Sequence, residues 1–460
     1  MNFVGREKEL KALGGVLKTP GFCGAVVYGR RRLGKTSLIR EAIKSYSGKV
    51  IFYQCLNTRV ESENVRGLLD VVRFVLPDLL LSDNSSFMEV LKALFIVARK
   101  EPICLVLDEY PYLRNGAGTD SMIQSLIDEY KEESSLKLIL CGSYVGIMEE
   151  VVDSSHPLYG RMSLLLRVLP FDYYDTSLML PTASNDDKIR YYAVFGGTPY
   201  YLEKIKPDEG FESNVKNQIL REFAPLESEI LGGIRTEYSK IKNASLVMDL
   251  MASGKEKYLD LKKNFCQNTQ ADFDYLLKTL LDMGLVTKTG TLDAPDKKNF
   301  YGFGDNLYDF FFTCVHPNLQ FRDLLPLDAY FSTYIKPVLE EQYLPRQFEK
   351  ICREFLVRRN RLCLNNPLFT AIGRYVYNDK NTHTNGEFDI VTKDPQGLIF
   401  YECKYWKKPV DETVIRQERE QLKACGLKAY RLGFFSWSGF DKSIVDSTDL
   451  FYSQDDLFCF

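Results

Sequence analysis

One stretch limits what this chain can fold into more than any other: Gly24 to Leu38, GAVVYGRRRLGKTSL. Ala25 to Tyr28 is a short apolar, β-branched run of the kind a buried parallel strand requires. Gly29-Arg30-Arg31-Arg32-Leu33-Gly34-Lys35-Thr36 follows and fits G-x-x-x-x-G-K-[ST]. A helical pattern comes next, with Leu38, Ile39, Ala42 and Ile43 on one face. In this strand–loop–helix setting the loop's N–H groups wrap a triphosphate and the helix N-terminus adds its dipole. The glycines let the backbone approach the phosphates. Lys35 is then expected to neutralise the β- and γ-phosphates and Thr36 to hold Mg²⁺, with Ser37 completing the loop. ATP and Mg²⁺ are the expected cofactors.

A second strand, Lys49 to Leu56, and helices over Val65–Leu76 and Phe87–Lys100 lead to Ile103-Cys104-Leu105-Val106-Leu107-Asp108-Glu109. Five apolar residues ending in two carboxylates have the form of a Walker B strand. Asp108 is expected to orient a Mg²⁺-bound water at the strand's C-terminal end, where ligands sit in open α/β sheets. Glu109 is expected to polarise the attacking water. Leu136–Leu140 is another buried strand, ending at Cys141-Gly142-Ser143. In the usual order it lies between the P-loop and Walker B strands, so Ser143 is placed to bond the γ-phosphate or the water. Ser163–Leu169 fits a fifth strand, and Arg161 just before it is a candidate phosphate sensor.

The segments VGREKEL, GRRRLGKTSL, LVLDEY, LILCGS, LYGRM, LPFDYYD and FGGTPYYL occur in that order. Together they resemble the AAA+-related ATPases found predominantly in archaea, neighbours of the STAND and origin-recognition ATPases. The similarity covers residues 1 to about 205. It implies that Val4-Gly5-Arg6 packs near the adenine, and that Gly196-Gly197-Thr198-Pro199 belongs to a helical lid over the nucleotide. Spacing alone reads that turn as a loop between helices.

From about 235 to 318 three helices (Ile241–Met251, Tyr258–Phe265, Ala271–Met283) precede two short strands, Leu285–Lys288 and Asn299–Phe303. This is the order of a winged helix-turn-helix, which often binds DNA through its third helix. Here that face carries Gln267, Gln270, Asp272, Asp274 and Lys278 and is not basic. Lysines gather instead at 255, 257, 262 and 263.

From about 320 to 460, a helix over Val338–Leu356 contains Glu349, and strands are expected at Ile372–Tyr377, Gly386–Val391 and Leu398–Tyr405. Asp394-Pro395-Gln396-Gly397 is a tight turn. Glu402 and Lys404 share one strand face, and Asp389 on the neighbouring strand can face both. D-x(12)-E-x-K on paired strands resembles the core of the PD-(D/E)XK nuclease superfamily, in its restriction-endonuclease-like and Holliday-junction-resolvase-like branches. The family's Pro-Asp pair is absent, since Gly386-Glu387-Phe388 precedes Asp389. The resemblance implies Asp389 and Glu402 as oxygen ligands for Mg²⁺ at a phosphodiester and Lys404 as the residue that positions water. Glu349 becomes a further acidic candidate, and Gln417 or Gln421 a supporting polar one. Archaeal ATPases of this kind include members with the same C-terminal domain, long of unknown function.

The expected fold is α/β: a P-loop NTPase core and lid (1–230), a winged helix (235–318) and a restriction-endonuclease-like domain (320–460). At 460 residues, about three domains are the prior. A net charge of −3 does not advertise nucleic-acid binding by the whole molecule. No run approaches a membrane span of about 20 apolar residues, so a cytoplasmic protein with no membrane partner is expected. With 11 scattered cysteines and three histidines, reduced core thiols are a better account than a zinc site. Two functions of different classes remain: an ATPase coupled to a DNA nuclease, and a nucleotide-gated switch or scaffold that binds DNA or a protein without cutting. A loader acting as an oligomer is a third reading.

Overall fold

A computed structural model describes residues 3–58, 61–115, 118–151, 153–236, 244–265, 270–292, 299–379, 384–444 and 448–460. The chain divides into two compact units, Met1–Pro170 and Phe171–Phe460.

The first unit is built on five parallel strands: β1 (Cys23–Tyr28), β2 (Lys49–Gln54), β3 (Ile103–Asp108), β4 (Lys137–Gly142) and β5 (Leu164–Arg167), in the order β2-β3-β4-β1-β5. The helices are α1 (Glu7–Lys18), α2 (Lys35–Ile43), α3 (Glu61–Val75), α4 (Phe87–Val97), α5 (Thr119–Tyr130) and α6 (Val145–Glu150). The period-two alternation of the strands explains the layering. Val26, Ile51, Leu105, Leu107, Leu138 and Leu140 share a core with Leu68, Leu94 and Leu126 from α3, α4 and α5. The intervening Ala25, Val27, Val106 and Ile139 pack with Leu13, Leu38 and Ile39 from α1 and α2. The central strands β1, β3 and β4 are thus apolar on both faces, the condition under which a parallel sheet is stable, and the edge strand β5 leaves Leu165 and Arg167 exposed. Ser86 caps α4, accepting from the Glu89 N–H while Glu89 accepts from the Ser86 N–H.

The second unit opens with helices that include Tyr173–Leu178, Asn185–Phe195 and Pro199–Leu202. Between the last two, Gly196 has φ +65°, and a Cβ on Gly197 would stand 1.9 Å from the Phe171 carbonyl oxygen, so neither position accepts a side chain. These helices share one unit with the C-terminal part of the chain, so the break at Pro170 falls well before the boundary near 230 that the sequence suggests. The physical reason is visible in the contacts. Tyr192 donates its hydroxyl to Glu354 (2.8 Å), the Tyr173 N–H donates to the same carboxylate (3.2 Å), and Arg358 donates to Asp172 and Asp175 (2.9 and 3.1 Å).

The middle segment contains the helices Ala244–Ala252, Tyr258–Asn264 and Gln270–Asp282 and the antiparallel pair β6 (Val286–Gly290) and β7 (Asn299–Phe303). Gln267 lies outside the described residues. Asp272, Asp274 and Lys278 are exposed on the third helix. Beyond β6, the chain pairs with the last sheet: Leu292 N–H donates to the Arg374 carbonyl (2.9 Å), and Arg374 donates to Glu256 (2.9 Å).

The C-terminal part has the helix Leu344–Arg361, then β8 (Ala371–Asp379), β9 (Thr384–Asp394), β10 (Gly397–Lys404), the helix Glu412–Ala424, β11 (Arg431–Ser436) and β12 (Leu450–Ser453). The sheet order is β12-β11-β10-β9-β8. β8, β9 and β10 form an antiparallel meander, and β11 and β12 add in parallel. The β9–β10 turn forms because the Asp394 side chain accepts from the Gln396 and Gly397 N–H groups (2.8 and 3.2 Å).

Candidate functional sites

The loop after β1 ends at Gly34 (φ +80°), the N-cap of α2. Gly29 (φ +151°) could not carry a Cβ, which would lie 2.3 Å from the Val168 carbonyl oxygen. Lys35 is buried, and its ammonium folds back onto the loop, donating to the carbonyls of Gly29 (2.9 Å) and Arg30 (2.8 Å). Burial lowers its pKa, against the pull of Cys141, Glu109 and Asp108. Thr36 donates to Asp108 (2.7 Å), which joins the loop to the end of β3 across the parallel sheet. Glu109 takes φ +53°, uncommon for a residue with a side chain. Its carboxylate accepts from the Ser143 hydroxyl (2.6 Å) and backbone N–H (3.3 Å). β4 does lie between β1 and β3, so Ser143 stands where the order of strands requires. Arg6 is buried with φ +64°, and its guanidinium donates to the Leu33 carbonyl (3.3 Å), so Val4-Gly5-Arg6 sits against the loop. Arg31, Arg32 and Ser37 are exposed or half-buried, and Arg30 is buried in part.

Arg161 is not brought to this loop. β5 pairs with β1 in parallel, Leu164 opposite Ala25 and Arg167 opposite Tyr28. Arg161 therefore precedes the strands at the edge where they begin, and the loop extends from the edge where they end. A six-residue strand separates those edges by about 20 Å. Its guanidinium is held by Asp128 (2.9 and 2.7 Å) and the Pro157 carbonyl (2.9 Å). Arg167, at the loop edge of β5, pairs with Glu149 (3.2 Å). Pro199 opens a short helix of the second unit.

A second cluster lies in the C-terminal sheet. Ile390 pairs with Tyr401, which puts Asp389 one step further along, opposite Glu402. The Cys403 N–H donates to Asp389 (3.0 Å). Lys404 is paired with Glu402 and lies 3.8 Å from Glu418 on the next helix. Burial first, then Glu402 and Glu349, push Asp389 up to about 8. Burial, with Glu387 and Glu402 adding and Arg374 opposing, raises Glu349 to about 7. Burial and Glu402 raise Glu418 to about 7. Burial works to lower the Lys404 pKa, and Glu402, Glu418 and Asp389 together outweigh it, which keeps the ammonium charged. Carboxylates repelling one another in a half-buried site are what a cation relieves. Among the described residues no group of three or more His, Cys, Asp and Glu is arranged to hold a metal ion. Two carboxylates nonetheless fit Mg²⁺, which keeps waters and takes substrate oxygens to complete its shell.

Sequence reasoning missed Glu418 by one residue, choosing Gln417 and Gln421. The signal was available: Val414 and Leu422 are buried, and Glu418 is four residues from each on the same stripe.

A parallel sheet in this order, with a glycine-bounded loop joined through Thr36 to Asp108, defines a P-loop ATPase domain. Comparison makes it more specific: residues 3–205 match the family described as an ATPase domain predominantly from Archaea. Residues 311–420 match a domain of archaeal and bacterial proteins of unknown function. An uncharacterized protein of Methanocaldococcus jannaschii is 28% identical over 441 residues, 93% of either chain. Among solved structures, a Walker-type ATPase of Pyrococcus abyssi shares the fold at 18% identity and TM-score 0.52, covering 67% of this chain and 96% of that one. The ORC2 protein of Aeropyrum pernix matches at 13% identity and TM-score 0.47, over 72% of this chain and 97% of that one. The chain thus carries an archaeal-type P-loop ATPase domain and a distinct C-terminal domain. Among the described residues no helix is long and apolar enough to cross a membrane.

Proposed function

We propose that this ATPase is coupled to a metal-dependent DNA nuclease of the PD-(D/E)XK type formed by the C-terminal domain. The observation that carries the reading is the convergence of Asp389, Glu402 and Lys404 where the C-terminal end of β10 passes the middle of β9. Glu349 from the helix before the sheet and Glu418 from the helix between β10 and β11 face the same charges. An antiparallel meander followed by a helix and a parallel strand is the setting that chemistry uses. Asp389 and Glu402 would hold Mg²⁺, whose chemistry is to polarise a phosphodiester and lower the pKa of water. Lys404 would orient the water and offset developing charge.

In the ATPase unit, Lys35 would contact the β- and γ-phosphates, Thr36 with Asp108 would hold Mg²⁺, and Glu109 would polarise water once Ser143 releases it. The segment 171–205, including Pro199, would act as the lid, and ATP would shift it together with the domains behind it. The middle segment is read as a winged helix whose third-helix face is acidic, so DNA contact is assigned to the C-terminal domain. The protein would act in the cytoplasm.

A second reading, a nucleotide-gated switch or scaffold that binds DNA or a protein without cutting, is favoured by the engagement of Lys404 with two carboxylates. Incubating labelled linear, single-stranded and branched DNA with Mg²⁺ or Mn²⁺, with and without ATP, separates the two. The nuclease reading expects cleavage by the wild type and none by Lys404→Ala, with ATP turnover retained. No cleavage of any substrate by a folded, ATP-hydrolysing wild type selects the switch.

A further inference from the structure

β10 ends at Lys404, and Tyr405-Trp406-Lys407-Lys408-Pro409 then carries the chain from the carboxylate cluster towards the helix Glu412–Ala424. The chain after β11 holds this segment at its start, middle and end. The Trp437 N–H donates to the Lys404 carbonyl (3.0 Å), the Ser438 hydroxyl to the Trp406 carbonyl, and the Val410 N–H to the Gly439 carbonyl (3.0 Å). Tyr405 turns inward: its ring centroid lies 4.5 Å from that of Trp437 and 5.8 Å from that of the buried Phe348. Trp406, the next residue, is 38% exposed. The segment therefore presents an indole to solvent from a fixed backbone, one residue beyond the end of the strand that carries Glu402 and Lys404.

Among the described residues no other aromatic ring meets this indole. What meets it are two ammonium groups, Lys404 Nζ at 5.2 Å and Lys408 Nζ at 5.5 Å from the ring centroid. The Lys404 ammonium is also the one paired with Glu402, so a single cation bridges the indole and the carboxylate cluster. Lys407 and Lys408 are exposed and form no ion pair among the described residues. An exposed ring beside lysines is the composition of a single-strand platform, in which a base lies on the ring and its phosphates meet the cations. A continuous duplex cannot use the ring, because each base face is covered by the neighbouring base. An unpaired nucleotide has a face to offer.

We propose that Trp406 selects unpaired DNA for the C-terminal site by stacking one base on its indole. The phosphates of that nucleotide meet Lys407 and Lys408, and the backbone continues past Lys404 to the carboxylates Asp389 and Glu402. The substrate class is single-stranded DNA, or the unpaired arm of a gap, flap or branch, rather than continuous duplex. Stacking tolerates any base, so the site selects strand state and not sequence. The packing of Tyr405 on Trp437 and Phe348 keeps the indole in place before DNA arrives, so little ordering is required on binding.

The proposal rests on the reading of the C-terminal domain as a DNA site, and its test measures binding rather than cleavage. Full-length wild type, Trp406→Ala and Trp406→Phe are titrated with oligo-dT of about 12 nucleotides, with a blunt duplex of equal length, and with an abasic strand of equal length. Ca²⁺ serves as the hard cation in place of Mg²⁺. The chain has two tryptophans, so intrinsic fluorescence follows Trp406 against Trp437 alone. Oligo-dT is expected to quench the wild type, and Trp406→Phe to keep most of the affinity and lose most of the quenching. Trp406→Ala is expected to bind oligo-dT about 5- to 100-fold more weakly, with duplex affinity within about 2-fold. The abasic strand is expected to bind wild type and Trp406→Ala alike. Equal losses on strand and duplex, no loss on either, or a wild type that binds the abasic strand as tightly as oligo-dT overturns the assignment and leaves the nuclease reading to the cleavage assay. The expected binding without cleavage in Mg²⁺ supports the stacking and refutes the nuclease. A wild type that binds neither strand nor duplex overturns the proposal.

Discussion

Replacing Lys35 by alanine tests the phosphate site most directly, and the structure sets the size of the effect. The ammonium is 5% exposed and makes two hydrogen bonds, to the Gly29 and Arg30 carbonyls. Nucleotide must replace these with charge-assisted bonds to phosphate oxygens. Neutral-acceptor bonds contribute about 1 kcal/mol each and bonds between ionised partners about 1.5–3 kcal/mol. The exchange of two bonds therefore gains about 1–4 kcal/mol, and the ammonium has already been desolvated in the free protein, so little further cost is incurred on binding. Lys35→Ala should weaken Mg·ATP binding by about 10- to 1,000-fold, with roughly 100-fold as the central value. Stability should change little, because losing a buried cation offsets two loop carbonyls left to water. The assay is displacement of a fluorescent ATP analogue at fixed Mg²⁺, with far-ultraviolet circular dichroism and Tm measured alongside. A folded variant whose affinity stays within about 2-fold of wild type would refute the assignment of Lys35 to phosphate.

Two further outcomes come from charge placement. Arg161→Ala should leave kcat and KM for ATP within about 2-fold of wild type and lower stability by less than about 1 kcal/mol, the worth of an ion pair near the surface; a tenfold loss of turnover would return Arg161 to the nucleotide. In the C-terminal cluster Asp389 is raised to about 8 and Glu349 and Glu418 to about 7, all above their unfolded values near 4. Between about pH 4 and 8 the folded chain thus binds more protons than the unfolded one, so stability without metal falls as pH rises through that window. Tm in EDTA should be lower at pH 8 than at pH 6, the difference should shrink in Asp389→Asn, and millimolar Mg²⁺ should raise Tm more at pH 8; equal slopes in wild type and variant would refute the coupling.

What the sequence made legible was whatever depends on local order. The P-loop, the two carboxylates that end β3 and the strand ending at Ser143 are each carried by a contiguous run, and the structure joins Thr36 to Asp108 and Ser143 to Glu109. Asp389, Glu402 and Lys404 were legible for the same reason, a tight turn fixing the register of two adjacent strands. Arg161 was misjudged because nearness in sequence to β5 says nothing about which end of the strand a residue occupies. Only the parallel register settles that. β11 and β12 were not read as strands: Arg431–Ser436 and Leu450–Ser453 carry no chemical motif, and a short apolar run by itself does not separate strand from helix. The break at Pro170 was illegible because it depends on which partner the helices after it choose, and that partner lies more than 150 residues further along the chain.

That choice of partner bears on how the two halves of the second unit communicate. The helix Leu344–Arg361 presents Glu349 to the carboxylate cluster, and Glu354 and Arg358 to the helices that come after Pro170. Five residues of α-helix separate Glu349 from Glu354, about 7.5 Å along the axis. Glu354 is half-buried, its pKa raised to about 7 chiefly by loss of solvent, and it is anchored by the Tyr192 hydroxyl and the Tyr173 N–H. The Arg358 guanidinium adds a cation–π contact 3.9 Å from the Tyr174 ring centroid. Between the two carboxylates along the helix, Lys350 donates to Asn306, whose amide donates to the Tyr192 carbonyl. One rigid rod therefore forms a wall of the cluster and a seat for the helices behind it. Packed cores respond to displacement by changing between discrete arrangements rather than by bending continuously. A change in how the helices of residues 171–205 seat on that rod would consequently move Glu349 relative to Asp389 and Glu402. Coupling between these helices and the carboxylate cluster would thus need no flexible linker, only the shared helix.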